Sequence, residues 1–494
     1  MRGVGSSPLA VPTWRRHRAA RARTGAQPKH QHAVKKTQAN RGPSKASTGP
    51  IPTTARCLAA IVIERVTDDG AFASRALDAE LKRAGLEARD NALATEIVYG
   101  TLRVLPVLDE RIIQVLTRAD ARTDGFVRAT LRTAAYQLAH LGRLPTHAIV
   151  DECVSQVRDR RGPKLAGFVN AVLRKLASAR PADPQPPRSL ALPTWVQESL
   201  LEALGPERLA RLLEQHASAP ALCLRSDRQS RDELQAQLAA AQPQAEIRPT
   251  RLSPLGLNLR RSGSPRALPG YKDGAFSVQE EGAQLVALAI AAQSGERIAD
   301  ICAGHGGKTS LLARQVGSSG SLVAVDQDER KLDAIPDELK RIGLADVPLE
   351  LHPVDLSVGT GGLLADFDRV LVDAPCTGLG TVLRRPELLL RLKPEDPARM
   401  SQLQLKILRS AAQLVKPGGL LAYAVCSPTR EEGPDVARAF GAEHPDFSPV
   451  TEALSALLPP PDCDAVLRIG PWLTTSEESS APDAYQLVLW RRLG

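Results

Sequence analysis

The chain has 494 residues, of which 43% are hydrophobic and 24% charged, and a formal net charge of +9. That length asks for two or three domains, and the composition is globular rather than disordered or fibrous. No run of 18 apolar residues offers a membrane-spanning helix. Seven cysteines with no C-x-x-C pair, in a chain without a secretory signal, exclude a disulfide framework and a zinc ribbon.

Residues 1–50 hold eleven of the 64 Lys and Arg and no Asp or Glu, so the net charge is a property of this tail. With Ala, Gly, Pro, Ser and Gln between the charges it has little to bury and is expected to be disordered. It reads as an arm that attracts RNA non-specifically or as a solvated extension. An Arg-rich, acid-free start is also the composition of an organelle transit peptide.

Residues 51–180 are helical by pattern. Ala55, Leu58, Ile61, Val62 and Val66 recur at helical spacing, as do Leu77 and Leu81, then Leu93, Ile97, Val98 and Leu102. Five or more helices make an all-α bundle, with Leu93, Ile97 and Phe168 in its core. Arg103, Arg158, Arg160, Arg161 and Lys164 are candidates for a basic RNA-binding face. Four prolines between Pro181 and Pro187 mark a linker. Residues 188–275 mix an amphipathic helix, Trp195 to Leu204, with short strands around Ala221–Leu224 and Leu255–Leu257.

From residue 297 on, strand and helix patterns alternate. A strand through Ile298-Ala299 runs into Asp300-Ile301-Cys302-Ala303-Gly304-His305-Gly306-Gly307-Lys308-Thr309, then a helix from Ser310 to Gln315. Strands at 321–325, 349–354 and 369–372 end near Asp326, Asp355 and Asp373. A helix from Ser401 to Val415 stops at Lys416-Pro417-Gly418-Gly419, and the strand Leu420–Val425 delivers Cys426. Residues 440–480 read as loop, and Ala484 to Trp490 as a closing edge strand. Alternation of this kind gives a mostly parallel sheet with helices on both faces, and ligands bind at the carboxyl ends of its strands.

Two phosphate-loop readings fail by counting. A Walker loop needs glycine at position 302, which is Cys302; a G-x-G-x-x-G from Gly304 needs glycine at 309, which is Thr309. What remains is a short glycine turn with an acid after the next strand, able to accept ribose hydroxyls. A cofactor with adenosine and no phosphate fits, which points to S-adenosylmethionine, with an unspecified nucleotide as the alternative.

Asp300 to Thr309, then Asp373-Ala374-Pro375-Cys376-Thr377-Gly378-Leu379-Gly380, then Cys426-Ser427 followed by Glu431-Glu432, resemble the RNA cytosine-carbon-5 methyltransferases. Among these the chain is most similar to the bacterial small-subunit rRNA methyltransferase B group, also called Sun or Fmu. It departs from the family at Gly304-His305, where Ala-Pro is usual, and at Val425, where Thr is usual. Arg89–Ala94, Tyr99–Arg103 and Gly167–Arg174 resemble the antitermination factor NusB and the matching domain of that group.

Beyond the basic tail at 1–50, the resemblance implies a NusB-like helical RNA-binding domain at 51–180, a small α+β module at 188–275 and a Rossmann-like methyltransferase domain at 276–494. It implies a soluble cytoplasmic monomer that binds no metal and transfers methyl from S-adenosylmethionine to carbon 5 of a cytosine in 16S rRNA. The cofactor loop would be Cys302, Ala303, Gly304, His305, Gly306, Gly307 and Lys308. Asp326 would bind the ribose and Asp355 the adenine amino group, while Asp373 would lie between cofactor and base. Lys308, Arg384 and Arg385 would contact RNA.

The chemistry explains the residue types. Carbon 5 of cytosine is a poor nucleophile until a thiolate adds to carbon 6, and that thiolate must later leave. A carboxyl near ring nitrogen 3 stabilises the developing charge. In the RNA family the roles fall to Cys426 as nucleophile, Cys376 in product release and Asp373 as the acid. Cys57, Cys153, Cys223 and Cys463 read as inert core thiols, and Cys302 as packing within its loop. Two other functions share these features: a non-catalytic RNA-binding protein of the antitermination type, and a cytosine-carbon-5 methyltransferase acting on tRNA.

Overall fold

The computed structural model describes residues 50–116, 124–179, 191–215, 220–452, 458–459, 461, 465–474 and 481–494. The basic tail up to residue 49, the proline linker and Cys463 lie outside them. The chain forms two units, Met1–Gln185 and Pro186–Gly494. No helix among the described residues is long and apolar enough to cross a membrane.

Seven helices are described in the first unit: α1 (Ala55–Thr67), α2 (Ala73–Ala84), α3 (Ala88–Arg103), α4 (Leu105–Val115), α5 (Gly125–His140), α6 (Thr146–Arg161) and α7 (Pro163–Ser178). α1 and α5 are buried on nearly every face and sit in the middle. Each starts on a side-chain cap: Thr54 accepts from the Cys57 N–H at 3.2 Å, and Asp124 from the Val127 N–H at 3.2 Å. The buried guanidinium of Arg132 is met by both oxygens of Asp109, at 2.7 and 2.6 Å. Ile97 is fully buried, and Leu93 and Phe168 pack half-buried against the same core. Arg103 does not belong to the expected basic face: the last turn of α3 packs inward and leaves it 7% exposed. Arg158, Arg161 and Lys164 are exposed; Arg160 is half-buried and donates to the Pro50 carbonyl at 2.8 Å.

The second unit opens with α8 (Thr194–Gln215), broken where Gly205 takes a left-handed φ before Pro206. A four-stranded antiparallel sheet follows: β1 (Leu222–Ser226), β2 (Glu246–Pro249), β3 (Gly256–Arg260) and β4 (Phe276–Val278), in the order β2-β3-β1-β4. It is covered by α9 (Arg231–Ala241), which starts with a Ser230/Glu233 capping box. The short β2 and β4 were not legible as strands. This module and the large sheet lie within the same compact unit.

The large sheet follows α10 (Glu281–Ala289) and contains β5 (Arg297–Ile301), α11 (Gly307–Val316), β6 (Ser321–Val325), α12 (Glu329–Leu332), α13 (Ile335–Arg341) and β7 (Leu349–His352) on one side of its switch point. β8 (Phe367–Asp373), α14 (Asp396–Leu414), β9 (Val415–Val425), α15 (Pro434–Glu443), β10 (Phe447–Pro449), β11 (Leu467–Ile469) and β12 (Tyr485–Arg492) follow on the other. The strand order is β7-β6-β5-β8-β9-β12-β10, with β11 also paired to β12. The strands from β7 to β9 are parallel; β12 is antiparallel to all its partners. Ile298, Leu322, Leu371 and Ala422 point into one core layer, Ala299, Val323, Val370 and Leu421 into the other. Burial on both faces is why these strands read as unbroken apolar runs.

Three expectations are corrected here. Residues 485–492 form an interior strand between β9 on one side and β10 and β11 on the other, because their backbone pairs on both sides. Lys416 to Gly419 is not a turn that precedes a strand but a bulge inside β9: the register passes from Phe367 opposite Val415 to Arg369 opposite Leu420, and Gly418 takes a φ of 78°. The expected loop at 440–480 also contributes β10 and β11.

Candidate active site

The chain order reverses between β5 and β8, which opens a crevice at their carboxyl ends. Beyond β5, Cys302 takes a left-handed φ of 63°. The loop is then tied to the second strand: Ala303 N–H donates to the Val325 carbonyl at 3.0 Å, and Gly304 N–H to Asp326 Oδ2 at 3.1 Å. Gly306 has a φ of 78°, and a Cβ there would stand 2.8 Å from Ile335, so only glycine closes this turn against α13. α11 begins at Gly307 without a side-chain cap, which leaves its first-turn N–H groups facing the crevice for a ligand. From behind, Gln279 and the buried Arg225 donate to the Gly307 carbonyl at 2.9 and 3.1 Å.

Asp326, 6% exposed, also accepts from the Asp328 N–H at 2.9 Å and from Lys331 Nζ at 3.1 and 3.2 Å. Asp355 lies three residues past β7, exposed, and accepts from the Ser357 N–H at 2.9 Å.

Asp300 underlies the loop and was not singled out for a role. It is fully buried; Thr309 Oγ1 donates to Oδ2 at 2.6 Å and Oδ1 has no partner. Burial pushes its carboxyl up to about 7. In the unfolded chain the same group titrates near 4. Between those values the folded protein keeps a proton that the unfolded chain has lost, so this group's contribution to stability declines as pH rises from about 4 to about 7. Asp300→Asn is expected to flatten that decline in thermal melts at pH 5 and pH 8, each 1 kcal/mol removed appearing as roughly 2–4 °C. Parallel melting profiles for the two proteins would contradict it.

β8 and β9 are parallel neighbours, with Asp373 opposite Ala424. Their ends bring Cys376 and Cys426 together: the sulphurs are 3.3 Å apart and both residues are half-exposed. Gly380 is threaded between two other segments, donating to the Cys426 carbonyl at 2.9 Å while its own carbonyl accepts from Ala484 at 3.1 Å. A Cβ on Gly380 would reach 1.9 Å from the Ala484 carbonyl oxygen. Contact with the Cys426 sulphur, then burial, push the Cys376 thiol well above its ordinary range, so Cys376 holds its proton. Cys57, Cys153 and Cys223 are buried, and desolvation raises all three, Cys153 to about 12. Burial raises the Cys302 thiol as well.

Lys308 was expected both in the cofactor loop and on RNA. Its ammonium is 2.6 Å from Asp373 Oδ2 and stands over the Tyr485 ring, 5.6 Å from its centroid. Burial alone would lower its pKa, but the Asp373 carboxylate outweighs it and the net shift is upward. Arg384, also expected on RNA, is half-buried, donating to Asp483 at 3.2 Å and to the Ala221 carbonyl at 2.8 Å. Arg385 beside it is exposed. Sequence reading passed over Tyr485 and Asp483, which lie far along the chain without a motif. It also gave no role to Glu432, although the acid pair Glu431-Glu432 was part of the third motif.

Comparison with known proteins agrees with this geometry. The 16S rRNA methyltransferase RsmB/F family matches residues 287–457, and the NusB family matches residues 53–178. The chain is 31% identical over 407 residues to the probable ribosomal RNA small subunit methyltransferase B of Bacillus subtilis, covering 80% of this chain and 90% of that one. It is 35% identical over 396 residues to ribosomal RNA small subunit methyltransferase B of Thermus thermophilus, covering 80% and 89%. In fold it is similar to the crystal structure of PH0851, with a TM-score of 0.74 at 24% identity, covering 91% of this chain and all of that one. NSun6 from Pyrococcus horikoshii shares the fold at a TM-score of 0.51 and 16% identity, covering 62% and 99%. The chain therefore belongs to the ribosomal RNA small subunit methyltransferase B family, a methyltransferase with a NusB domain at its N-terminal side.

Proposed function

We propose that this methyltransferase modifies carbon 5 of a cytosine in small-subunit rRNA, through a covalent bond between Cys426 and carbon 6. The observation that carries this reading is the pair of thiols 3.3 Å apart at neighbouring strand ends, beside the Asp373–Lys308 pair.

The residues at the glycine loop fit S-adenosylmethionine. Uncapped N–H groups at the start of α11 suit the carboxylate of its methionine part, and the Asp326 carboxylate suits ribose hydroxyls. Ala303, Gly304, His305, Gly306 and Gly307 would line it, with Asp355 near the adenine. Bound there, it supplies an electrophilic methyl group. The protein's own residues do the rest. Cys426 reacts as a thiolate: its sulphur bonds to carbon 6, and the electron pair of the carbon 5–carbon 6 bond becomes available at carbon 5. Asp373 relays a proton from the Lys308 ammonium against it to ring nitrogen 3, neutralising the negative charge that the addition develops there, and the proton returns when the sulphur leaves. After methylation carbon 5 gives up its proton to Cys376 as Cys376 passes its own proton to the departing Cys426 sulphur with which it is in contact; the ring double bond re-forms, the sulphur–carbon bond breaks and Cys426 returns as a thiol. The base must leave its stack to reach the half-buried thiols.

The test is methyl transfer from labelled S-adenosylmethionine to purified small-subunit rRNA and to tRNA, with the modified nucleotide identified by mass spectrometry. Label in 5-methylcytosine of the rRNA is expected. Label confined to tRNA would move the substrate, and label on another atom of the base would overturn the chemistry.

A further inference from the structure

A fully buried carboxylate stands beneath the two thiols. Glu432 lies six residues beyond Cys426 and is 0% exposed. Its Oε1 accepts from the Thr377 N–H at 2.8 Å and from Gln404 Nε2 at 3.1 Å. Its Oε2 lies 2.5 Å from Thr377 Oγ1, 2.6 Å from Ser427 Oγ and 3.2 Å from Thr429 Oγ1. Thr377 directly follows Cys376, and Ser427 directly follows Cys426. One carboxylate thus draws together the residues next to both sulphurs.

Two amides complete the arrangement. Gln404, on α14, donates to the Pro375 carbonyl at 3.0 Å as well as to Glu432. Gln486, on β12, donates both its amide hydrogens to the strand-end loop, to the Ser427 carbonyl at 2.8 Å and the Thr429 carbonyl at 2.7 Å. Tyr423, on β9, has its hydroxyl 2.7 Å from the Glu432 carbonyl oxygen. The segments that carry Cys376 and Cys426 are therefore fixed from below, with no reacting atom among the fixing groups.

Burying a carboxylate is a costly way to stabilise a loop, and an apolar side chain of similar size does that as well or better. What the carboxylate does that leucine cannot is bring five donors from three segments to one point. We infer that Glu432 is the positioning residue for the two-cysteine reaction, holding Cys376 within contact of the Cys426 sulphur so that release follows addition. This rests on the proposed roles of the two cysteines. Fully buried, Glu432 acts through Thr377 and Ser427.

The isosteric amide separates geometry from charge. In Glu432→Gln the amide oxygen can keep the Thr377 and Gln404 donors, while the amide nitrogen donates its two hydrogens to two of the three hydroxyls, which can also accept. Glu432→Ala removes the point of attachment. Two readouts apply. Diamide takes two hydrogens from a thiol pair in contact and leaves a disulfide, so the rate of that oxidation in the free protein reports whether Cys376 and Cys426 are held together. Steady-state methylation reports kcat separately from KM.

In Glu432→Ala, kcat is expected to fall about 100-fold, KM for RNA and cofactor to change less than about threefold, and disulfide formation to slow about tenfold. Glu432→Gln is expected to keep both rates within about fivefold of the parent. Should Glu432→Ala not fold, Thr377→Val removes one hydroxyl donor and is expected to slow both rates by about tenfold. Parent rates in the variant that folds overturn the inference, as does a loss in Glu432→Gln equal to that in Glu432→Ala. If the parent makes no 5-methylcytosine, the proposed function fails, and thiol oxidation still tests the clamp by itself.

Discussion

Cys376→Ala incubated with rRNA and S-adenosylmethionine is expected to accumulate a protein–RNA adduct that survives denaturing electrophoresis. Cys426→Ala is expected to form none, and the double variant none. The order of action dictates the result. Without Cys426 no sulphur–carbon bond forms, so the reaction stops before any covalent species. Without Cys376 attack and methylation proceed, but the group in contact with the departing sulphur, 3.3 Å away, is gone and release stalls. Both single variants should lose turnover by at least about a thousandfold, the scale seen when a reacting group is removed. Adduct in Cys426→Ala and not in Cys376→Ala would reverse the two assignments. Single variants with parental turnover would make both thiols structural.

Asp326→Ala should weaken S-adenosylmethionine binding by about 2 kcal/mol if two good hydrogen bonds to the ribose are lost, which is about 30-fold in Kd. The carboxylate already holds the Gly304 N–H and the Asp328 N–H in the free protein. Removing it therefore also loosens the loop that meets the cofactor. Asp326→Asn keeps an oxygen for one of these donors and should lose less than the alanine variant. Isothermal calorimetry on the three proteins decides it; equal affinities would leave Asp326 as a brace for the loop alone.

The parts of the fold that burial dictates were legible, and the parts that pairing dictates were not. Strands 297–301, 321–325 and 420–425 stand out because each is an apolar run closed by an acid, a glycine or a cysteine at the site. The same logic placed Cys376, Cys426, Asp326 and Asp373 at strand ends before any geometry was known. α14 starts five residues earlier than expected because Pro397, which reads as a break, is tolerated in a first helical turn. α11 starts three residues early because its first turn is built from Gly307, Lys308 and Thr309, residues of a binding loop rather than good helix formers. The sequence 485–492 has a strand's composition, but nothing in it says which neighbours it takes. Arg384 and Lys308 show the same limit in the site: a basic residue beside a motif looks available for phosphate, and only the fold reveals a carboxylate within reach.

The interior position of β12 imposes an order on biosynthesis. The helical unit depends on residues 55–178 alone, so its core can close while most of the methyltransferase is still unmade. The sheet cannot close: β9, which delivers Cys426, keeps one side unpaired until residues 485–492 have been synthesised, and Gln486 on that strand is what pins the carbonyls of Ser427 and Thr429. A nascent chain stopped before β12 carries Cys426 at the end of a raw sheet edge, open to intermolecular pairing. The strand ends that hold the two thiols are thus completed only once residues 485–492 have been made, long after the helical unit can close its own core.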